Sequence, residues 1–426
     1  MTEEFLQYIW KNALYYPSSL TTDNKEEVTV LSPGDINFNA GPDFLNARLR
    51  IGDTIWAGNI EIHINSSDWI KHQHQNNKAY NNVILQVVYQ NDVKANLQNG
   101  SQVPTVEVKF EKRLYENYQN LINGNNWIPC QEKIKNLDSF QMNHILRILT
   151  VERLKEKSDE IAQTLRFTKN DWSETFYIHL AKNFGFKINA VPFEMLARSL
   201  PLKCIAKHKD NLLQIEALLF GQAGFLNDQC NDEYYILLVR EYRLLQSKFN
   251  LKPLEKHLWK FLRLRPCNFP TIRLAQFAKL LYRSSFLFTK IVQAEDLKQL
   301  KSYFDISASE YWEKHYNFSK ESVSDRKKSL GIISFNNVVI NTVVPVLFVY
   351  GDHNDKNELK EKAINFLTEL PAEDNHIIRN WSKLGFYPKN AFETQGFLQL
   401  KNKYCARRKC LNCQIGKKII TILNKE

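Results

Sequence analysis

The sequence predicts an α+β chain, with an N-terminal mixed or antiparallel sheet and flanking helices, followed by a larger all-α region. Three observations carry this. From about residue 20 to residue 110, short runs of alternating or β-branched apolar residues are broken by Gly, Pro, Asn and Asp, the texture of strands and turns. From about Asp138 onward, helical periodicity continues almost everywhere. Between them, Asn123-Gly124-Asn125-Asn126 and Trp127-Ile128-Pro129-Cys130 read as a connection. The expected organisation is an α+β unit over 1–125, a linker over 126–137 and a helical domain over 138–426.

The elements follow in order. Thr2 is placed to cap a helix from Glu3 to Tyr15, whose apolar face gathers Phe5, Tyr8, Ile9, Trp10 and Leu14. Leu20 to Leu31 reads as a hairpin turning at Thr21-Thr22-Asp23-Asn24, and Ser32-Pro33-Gly34-Asp35 breaks it. Gly41-Pro42-Asp43 opens a strand from Phe44 to Ile51. Gly52-Asp53 turns it, and Thr54 to Asn65 returns, with Gly58 as the expected bulge or kink. Ser66-Ser67-Asp68-Trp69 reads as a turn into a short helix capped by Ser67 or Asp68. His72 to Lys78 is polar enough to read as an exposed loop with solvated histidines. Asn82 to Tyr89 is a buried strand interrupted by Gln86, and Val103 to Phe110 is an alternating strand that Pro104 assigns to an edge. Beyond the linker the expected helices include 139–165, 172–183, 192–199, 210–225, 234–249, 255–263, 274–288, 341–350, 356–367 and 375–384. The Gly-Gln-Ala-Gly within 210–225 suits close helix approach; it is no phosphate loop, since no strand precedes it and no Lys-Ser/Thr follows.

Composition narrows the class. The chain has 426 residues, 43% hydrophobic and 24% charged, which suits two or three folded domains. A net charge of +11 and a pI near 9.1 favour a polyanionic partner such as nucleic acid, although the charge is spread widely. No apolar run approaches a membrane span, and MTEEFLQYIW lacks the basic start of a signal peptide, so no membrane is expected. Seven cysteines, an odd number and mostly scattered, read as reduced thiols in a cytoplasmic protein. The sequence specifies no oligomeric state.

The chemistry concentrates between Ala40 and His74, AGPDFLNARLRIGDTIWAGNIEIHINSSDWIKHQH. On a strand, Glu61 and His63 point the same way. If the two strands pair, Asp43 at the start of one approaches Glu61 near the end of the other. Two converging carboxylates suit a hard divalent cation, Mg²⁺ or Mn²⁺. His63, His72 and His74 with Glu61 form a competing, nitrogen-rich set that suits Zn²⁺, Mn²⁺ or Fe²⁺. In the helical region, Arg263, Arg265 and Arg273 lie in a basic, aromatic stretch, where they either meet phosphates or pair with internal acids.

The order of these residues resembles the core of the PD-(D/E)XK nuclease superfamily, in which a Pro-Asp pair is followed one strand later by an acid-x-lysine triplet. The pair stands here as Pro42-Asp43, and the triplet as Glu61-Ile62-His63, with His63 in the lysine position. The resemblance implies a restriction-endonuclease-like fold, with Asp43 and Glu61 as metal ligands and His63 orienting or deprotonating the attacking water. It also implies an acid from the first helix, Glu3 or Glu4, with Glu4 as the ligand candidate, and Gln86 beside the site. The implied activity is a metal-dependent phosphodiesterase acting on DNA or RNA. The alternative is a non-catalytic nucleic-acid-binding or assembly protein with a degenerate nuclease core. A metalloenzyme acting on a small substrate through His63, His72 and His74 is a third reading.

Near the C-terminus, Cys405, Cys410 and Cys413 have the spacing C-x4-C-x2-C, whose C-x2-C half can clamp a metal within a tight turn. Arg407, Arg408 and Lys409 are expected to lower the neighbouring thiol pKa values. A closed site needs a fourth ligand, with Cys130 first and His376 second. Zn²⁺ and an iron–sulfur cluster are both candidates. Some nucleases of the resembled superfamily hold such a cluster through one distant cysteine and three C-terminal ones. Across nearly its full length the chain also resembles a bacterial family of uncharacterised proteins. The stretches carrying that likeness include AGPDFLNARLRIGDTIWAGNIEIHINSSDW, AYNNVILQVVY, IEALLFGQAGFL, RLRPCNFPTIRLAQFA and YCARRKCLNCQIG.

Overall fold

In a computed structural model, residues 1–323 and 325–422 are described. The chain divides into two compact units, Met1–Gln141 with the tail from Leu400, and Met142–Gln399. The first boundary falls close to the expected one. The tail differs: it belongs with the N-terminal unit rather than with the helices that precede it. Long-range packing decides this, as Asn117 Nδ2 donates to the carbonyl of Ile420 at 3.2 Å.

The first unit opens with α1 (Glu3–Lys11). Thr2 caps it, its Oγ1 accepting from Phe5 N at 3.3 Å. Nine residues are too few for an isolated helix in water. Burial holds it: Phe5, Ile9 and Trp10 are fully enclosed, each contributing roughly 1.5–3 kcal/mol. The helix stops short of the expected Tyr15 because Asn12 turns its amide back to the carbonyl of Tyr8 at 2.8 Å and Ala13 takes a φ of +50°.

Six strands form one mixed sheet: β1 (Val28–Ser32), β2 (Asp35–Ile36), β3 (Phe44–Ile51), β4 (Thr54–Asn65), β5 (Val83–Gln90) and β6 (Thr105–Glu107). The order is β1-β3-β4-β5-β6, with β2 also paired to β3. β3 and β4 are the expected antiparallel hairpin, while β4–β5 and β5–β6 run parallel. β6 is an edge strand, as Pro104 implies, but only three residues of the expected run pair as strand. The hairpin's irregularity lies on β3 rather than at Gly58. Register slips between Phe44 and Ala47, where Asn46 sits at φ +59°. Gly58 serves close approach instead, since a Cβ there would lie 2.4 Å from Ile84 Cγ2 and 2.6 Å from the Asn82 carbonyl. Between β4 and β5 lies the short helix α2 (Asp68–Lys71), and after β6 comes α3 (Lys112–Asn123).

The second unit is helical, with a small β-hairpin at 315–321. Gly221 packs as its setting predicts: a Cβ there would strike the ring of Tyr242 at 2.1 Å. The segment read as a helix over 255–263 has only a 3₁₀ turn at Lys256–Leu258. Side chains hold it extended, the Trp259 indole donating to the Ala223 carbonyl at 2.8 Å and the Asn189 amide gripping both N and O of Lys260. The helix expected over 341–350 begins earlier. The helical stretch Ile332–His353 is long and apolar enough to cross a bilayer by length and composition, and most of it is buried within the unit, as in a core helix.

Candidate functional site

Strand alternation on β4 puts Glu61 and His63 on one face and Ile60 and Ile62 on the other, and all four are buried. The strand pairing brings the two acids together. Glu61 Oε2 accepts from the backbone N–H of Asp43 at 3.0 Å, and Asp43 Oδ2 accepts from the N–H of Ile62 at 3.0 Å. Each carboxylate thus reaches across to the other's strand. Asp43 Oδ1 takes a further bond from Gln7 Nε2 on α1, at 2.9 Å.

Gln86 stands beside Glu61 in the parallel register of β5 and is fully buried. Its Nε2 lies 3.0 Å from His63 Nδ1 and donates to the Ser66 carbonyl at 3.2 Å, while its Oε1 accepts from Thr105 Oγ1 at 3.2 Å. Both its ends are therefore committed.

The segment after β4 returns to the same place. Asp92 pins it, accepting from Ser66 Oγ at 2.9 Å, Ser67 N at 2.8 Å and Ser67 Oγ at 2.8 Å. Ser67 flanks the N-terminus of α2 but spends its hydroxyl on Asp92, and Asp68 accepts instead from Asn65 N at 3.0 Å. Trp69 points inward and donates to the Asn96 carbonyl at 3.0 Å. Gln73 then adopts a φ of +59°, a left-handed turn that redirects the chain. His74 consequently comes back under the surface and stacks on Tyr80 with ring centroids 3.8 Å apart.

Four groups converge. His74 Nε2 is 3.2 Å and His63 Nε2 3.6 Å from Glu61 Oε1. Both nitrogens are buried, and among the described residues neither has an aligned hydrogen-bond partner. One nitrogen from each of His63, His72 and His74 lies within 4.8 Å of the others, with His72 at the exposed rim. The expected solvation holds for His72, which is exposed, and fails for His74, which is interior.

Burial inverts the usual order of protonation. It raises Glu61 to about 8, and raises Asp43 to about 6 with the Glu61 charge adding to the effect. It lowers His63 to about 3, helped by His74 and His72, and lowers His74 as well. Near pH 7 the bare group thus keeps a proton on Glu61, leaves Asp43 mostly ionised and leaves His63 and His74 neutral. A divalent cation takes deprotonated carboxylate and neutral imidazole, so the donor set fits one.

Asp43, Glu61, His63 and Gln86 are brought together. Glu4 is not with them. It is exposed, and its charge acts on Tyr118 and Cys410. The α1 acid of this site is Glu3, half-buried, whose carboxyl is raised by burial and feels His72, Asp43 and His74. Its signal in the sequence is spacing: Glu3 and Gln7 are four apart and share a helix face. Cys130, Cys405, Cys410 and Cys413 line a separate cavity in the same unit. His376 begins the helix His376–Lys383 in the other unit. Of the arginines, Arg273 is buried and donates to Asn268, Gln276 and Ser334, so it is an internal residue, whereas Arg263 and Arg265 are exposed.

No curated protein and no solved structure matches the chain. A family model does, over residues 3–376, a span that contains the whole acid–imidazole group and Cys130. The chain therefore belongs to the family described as Protein of unknown function (DUF2851).

Proposed function

We propose that this protein is a divalent-metal-dependent phosphodiesterase acting on nucleic acid. The observation that carries the reading is the convergence of Asp43 and Glu61, each bonded to the other's strand, with Glu61 Oε1 facing two buried imidazole nitrogens at 3.2 and 3.6 Å. Asp43, Glu61 and His74 would hold the cation, with Glu3 and His72 at its edge. The nitrogen content of the set favours Mn²⁺, Zn²⁺ or Fe²⁺ over Mg²⁺. A bound cation supplies a water of lowered pKa and offsets charge on phosphate oxygens.

His63 takes the place of the lysine in the resembled nucleases. With Nδ1 accepting from Gln86, its proton sits on Nε2 and faces the acids. It acts as a neutral donor that orients the attacking water or a phosphate oxygen. The net charge of +11 supports a polyanionic substrate.

The test uses the full chain with Mn²⁺, a linear and a circular DNA, an RNA and bis(p-nitrophenyl) phosphate. Metal-dependent hydrolysis is expected. Asp43→Asn and Glu61→Gln should lower it by more than the roughly 10–100-fold typical of outer partners of a metal. Undiminished cleavage by Asp43→Asn would sink the reading. Salt-sensitive binding with no cleavage in any metal would select the non-catalytic binder.

A further inference from the structure

Four of the seven cysteines, Cys130, Cys405, Cys410 and Cys413, come from distant parts of the chain and are all buried. Cys130 lies in the connection after α3, where its carbonyl accepts from Lys133 N and Ile134 N. Cys405 ends a π-helical turn, Leu400–Cys405. The backbone then folds tightly, with Arg408 N on the Cys405 carbonyl at 3.2 Å and Cys413 N on the Cys410 carbonyl at 3.3 Å. Cys413 is the N-terminal flanking residue of the helix Gln414–Thr421. Gly416 on that helix allows the closure, because a Cβ there would lie 2.2 Å from the Cys410 carbonyl oxygen.

With Pro129, Tyr404, Lys409 and Gly416, these four side chains line one small cavity of about 10 Å³. That is room for about one water-sized body. The C-x2-C turn from Cys410 to Cys413 is the spacing that clamps one tetrahedral ion between two thiolates, and Cys130 and Cys405 supply the other two. We propose that Cys130, Cys405, Cys410 and Cys413 form a closed tetrathiolate site for a single Zn²⁺ ion, which staples the tail to the N-terminal unit.

Electrostatics agree with this chemistry. Burial first, and then the neighbouring thiols, push Cys130 up to about 12 and Cys410 up to about 11, and Cys405 also rises. The basic tail does not overcome burial, contrary to the expectation from Arg407, Arg408 and Lys409. Buried thiols gain nothing from facing one another, whereas a cation turns them into ligands. A tetrathiolate zinc carries a net negative charge. Arg408 beside Cys410 and Lys401 beside Cys405 lie where they offset it.

The test is made on the full chain purified without chelator and without air. Elemental analysis should find one zinc per chain that survives dialysis, and exchange with Co²⁺ should give the thiolate-to-metal charge-transfer band of a tetrahedral sulfur site. Cys130→Ser and Cys413→Ser should lose that equivalent. His72→Ala with His74→Ala should keep it, so failure of the imidazole site and failure of this one are distinguishable. If the serine variants do not fold, the wild-type protein decides. Exposed Cys267 should react at once with a thiol reagent, while the four remain protected until a mercurial releases metal. Four reactive thiols in metal-free folded protein would overturn the proposal. Iron with acid-labile sulfide in place of zinc would overturn it as well.

Discussion

His63 Nδ1 faces Gln86 Nε2 at 3.0 Å, and the same amide nitrogen also donates to the Ser66 carbonyl at 3.2 Å. Turning the amide over would set its oxygen against the Ser66 carbonyl. The imidazole therefore carries its proton on Nε2, towards Glu61. Nitrogen-15 spectra of the histidine rings should show His63 neutral with Nε2 protonated. The opposite tautomer would mean that its lone pair serves the cation directly. Gln86→Leu would strip partners from His63, Ser66 and Thr105, and should cost about 1–3 kcal/mol in denaturant unfolding.

Glu61→Gln should separate stability from function. Near pH 8 the buried wild-type carboxyl is half ionised at a cost, whereas the amide is neutral. The metal-free variant should be more stable there by on the order of 1–3 kcal/mol. Below the roughly pH 4 at which the unfolded carboxyl also takes its proton, the difference should vanish. Metal affinity should be lost at every pH, as read by titration calorimetry.

The stability of the metal-free protein should fall as pH rises from about 6.5 to 8. Asp43 and Glu61 have folded pKa values of about 6 and about 8, above the roughly 4 of unfolded carboxyls. Between those values the native state binds more protons than the unfolded one, so stability declines with pH. His63 and His74 act in the opposite sense below their unfolded value near 6.5, because there the unfolded state takes the proton. Above about 6.5 the imidazoles drop out, Glu216, raised to about 7, adds to the decline, and Lys157, lowered to about 7, opposes it as one group against three. Thermal melts in chelator should show the decline, and added Mn²⁺ or Zn²⁺ should reverse its sign by replacing those protons.

Glu3→Gln should weaken metal binding about tenfold, whereas Glu4→Gln should leave it unchanged. The pair tests helix phase directly, since the residues are adjacent and chemically identical. Equal effects would place the cation away from the Asp43 side of α1.

Asp92→Ala removes the acceptor shared by Ser66 Oγ, Ser67 N and Ser67 Oγ. No proposed ligand is touched, yet the segment carrying His72 and His74 loses its anchor. Metal affinity should fall about 10-fold while global unfolding shifts little. Unaltered affinity would show that Trp69 and Tyr80 hold the segment unaided.

The hairpin and its residues were legible because strand alternation is local: the acid, the imidazole and the turn lie within a few residues of one another. Gln86 stood out as one polar position in an apolar run. His74 did not, because its burial depends on a left-handed Gln73 and on an aspartate 18 positions further on, neither of which marks hydropathy. Glu3 and Glu4 both stayed open as the α1 acid, with Glu4 as the ligand candidate, because the choice depends on which helix face meets β4. The tail was assigned to the helices beside it because nothing local reports that residues beyond 400 pack with those before 141.

That pairing of early and late chain has a consequence during synthesis. Cys130 leaves the ribosome long before Cys405, Cys410 and Cys413. At about 5–20 residues per second the wait is on the order of tens of seconds. Throughout it the N-terminal unit lacks its last helix, and the cysteine-lined cavity has one wall. The nascent chain must therefore keep a lone thiol reduced and an open surface out of trouble while an entire helical unit is made, which makes completion of the first unit the last event in its assembly.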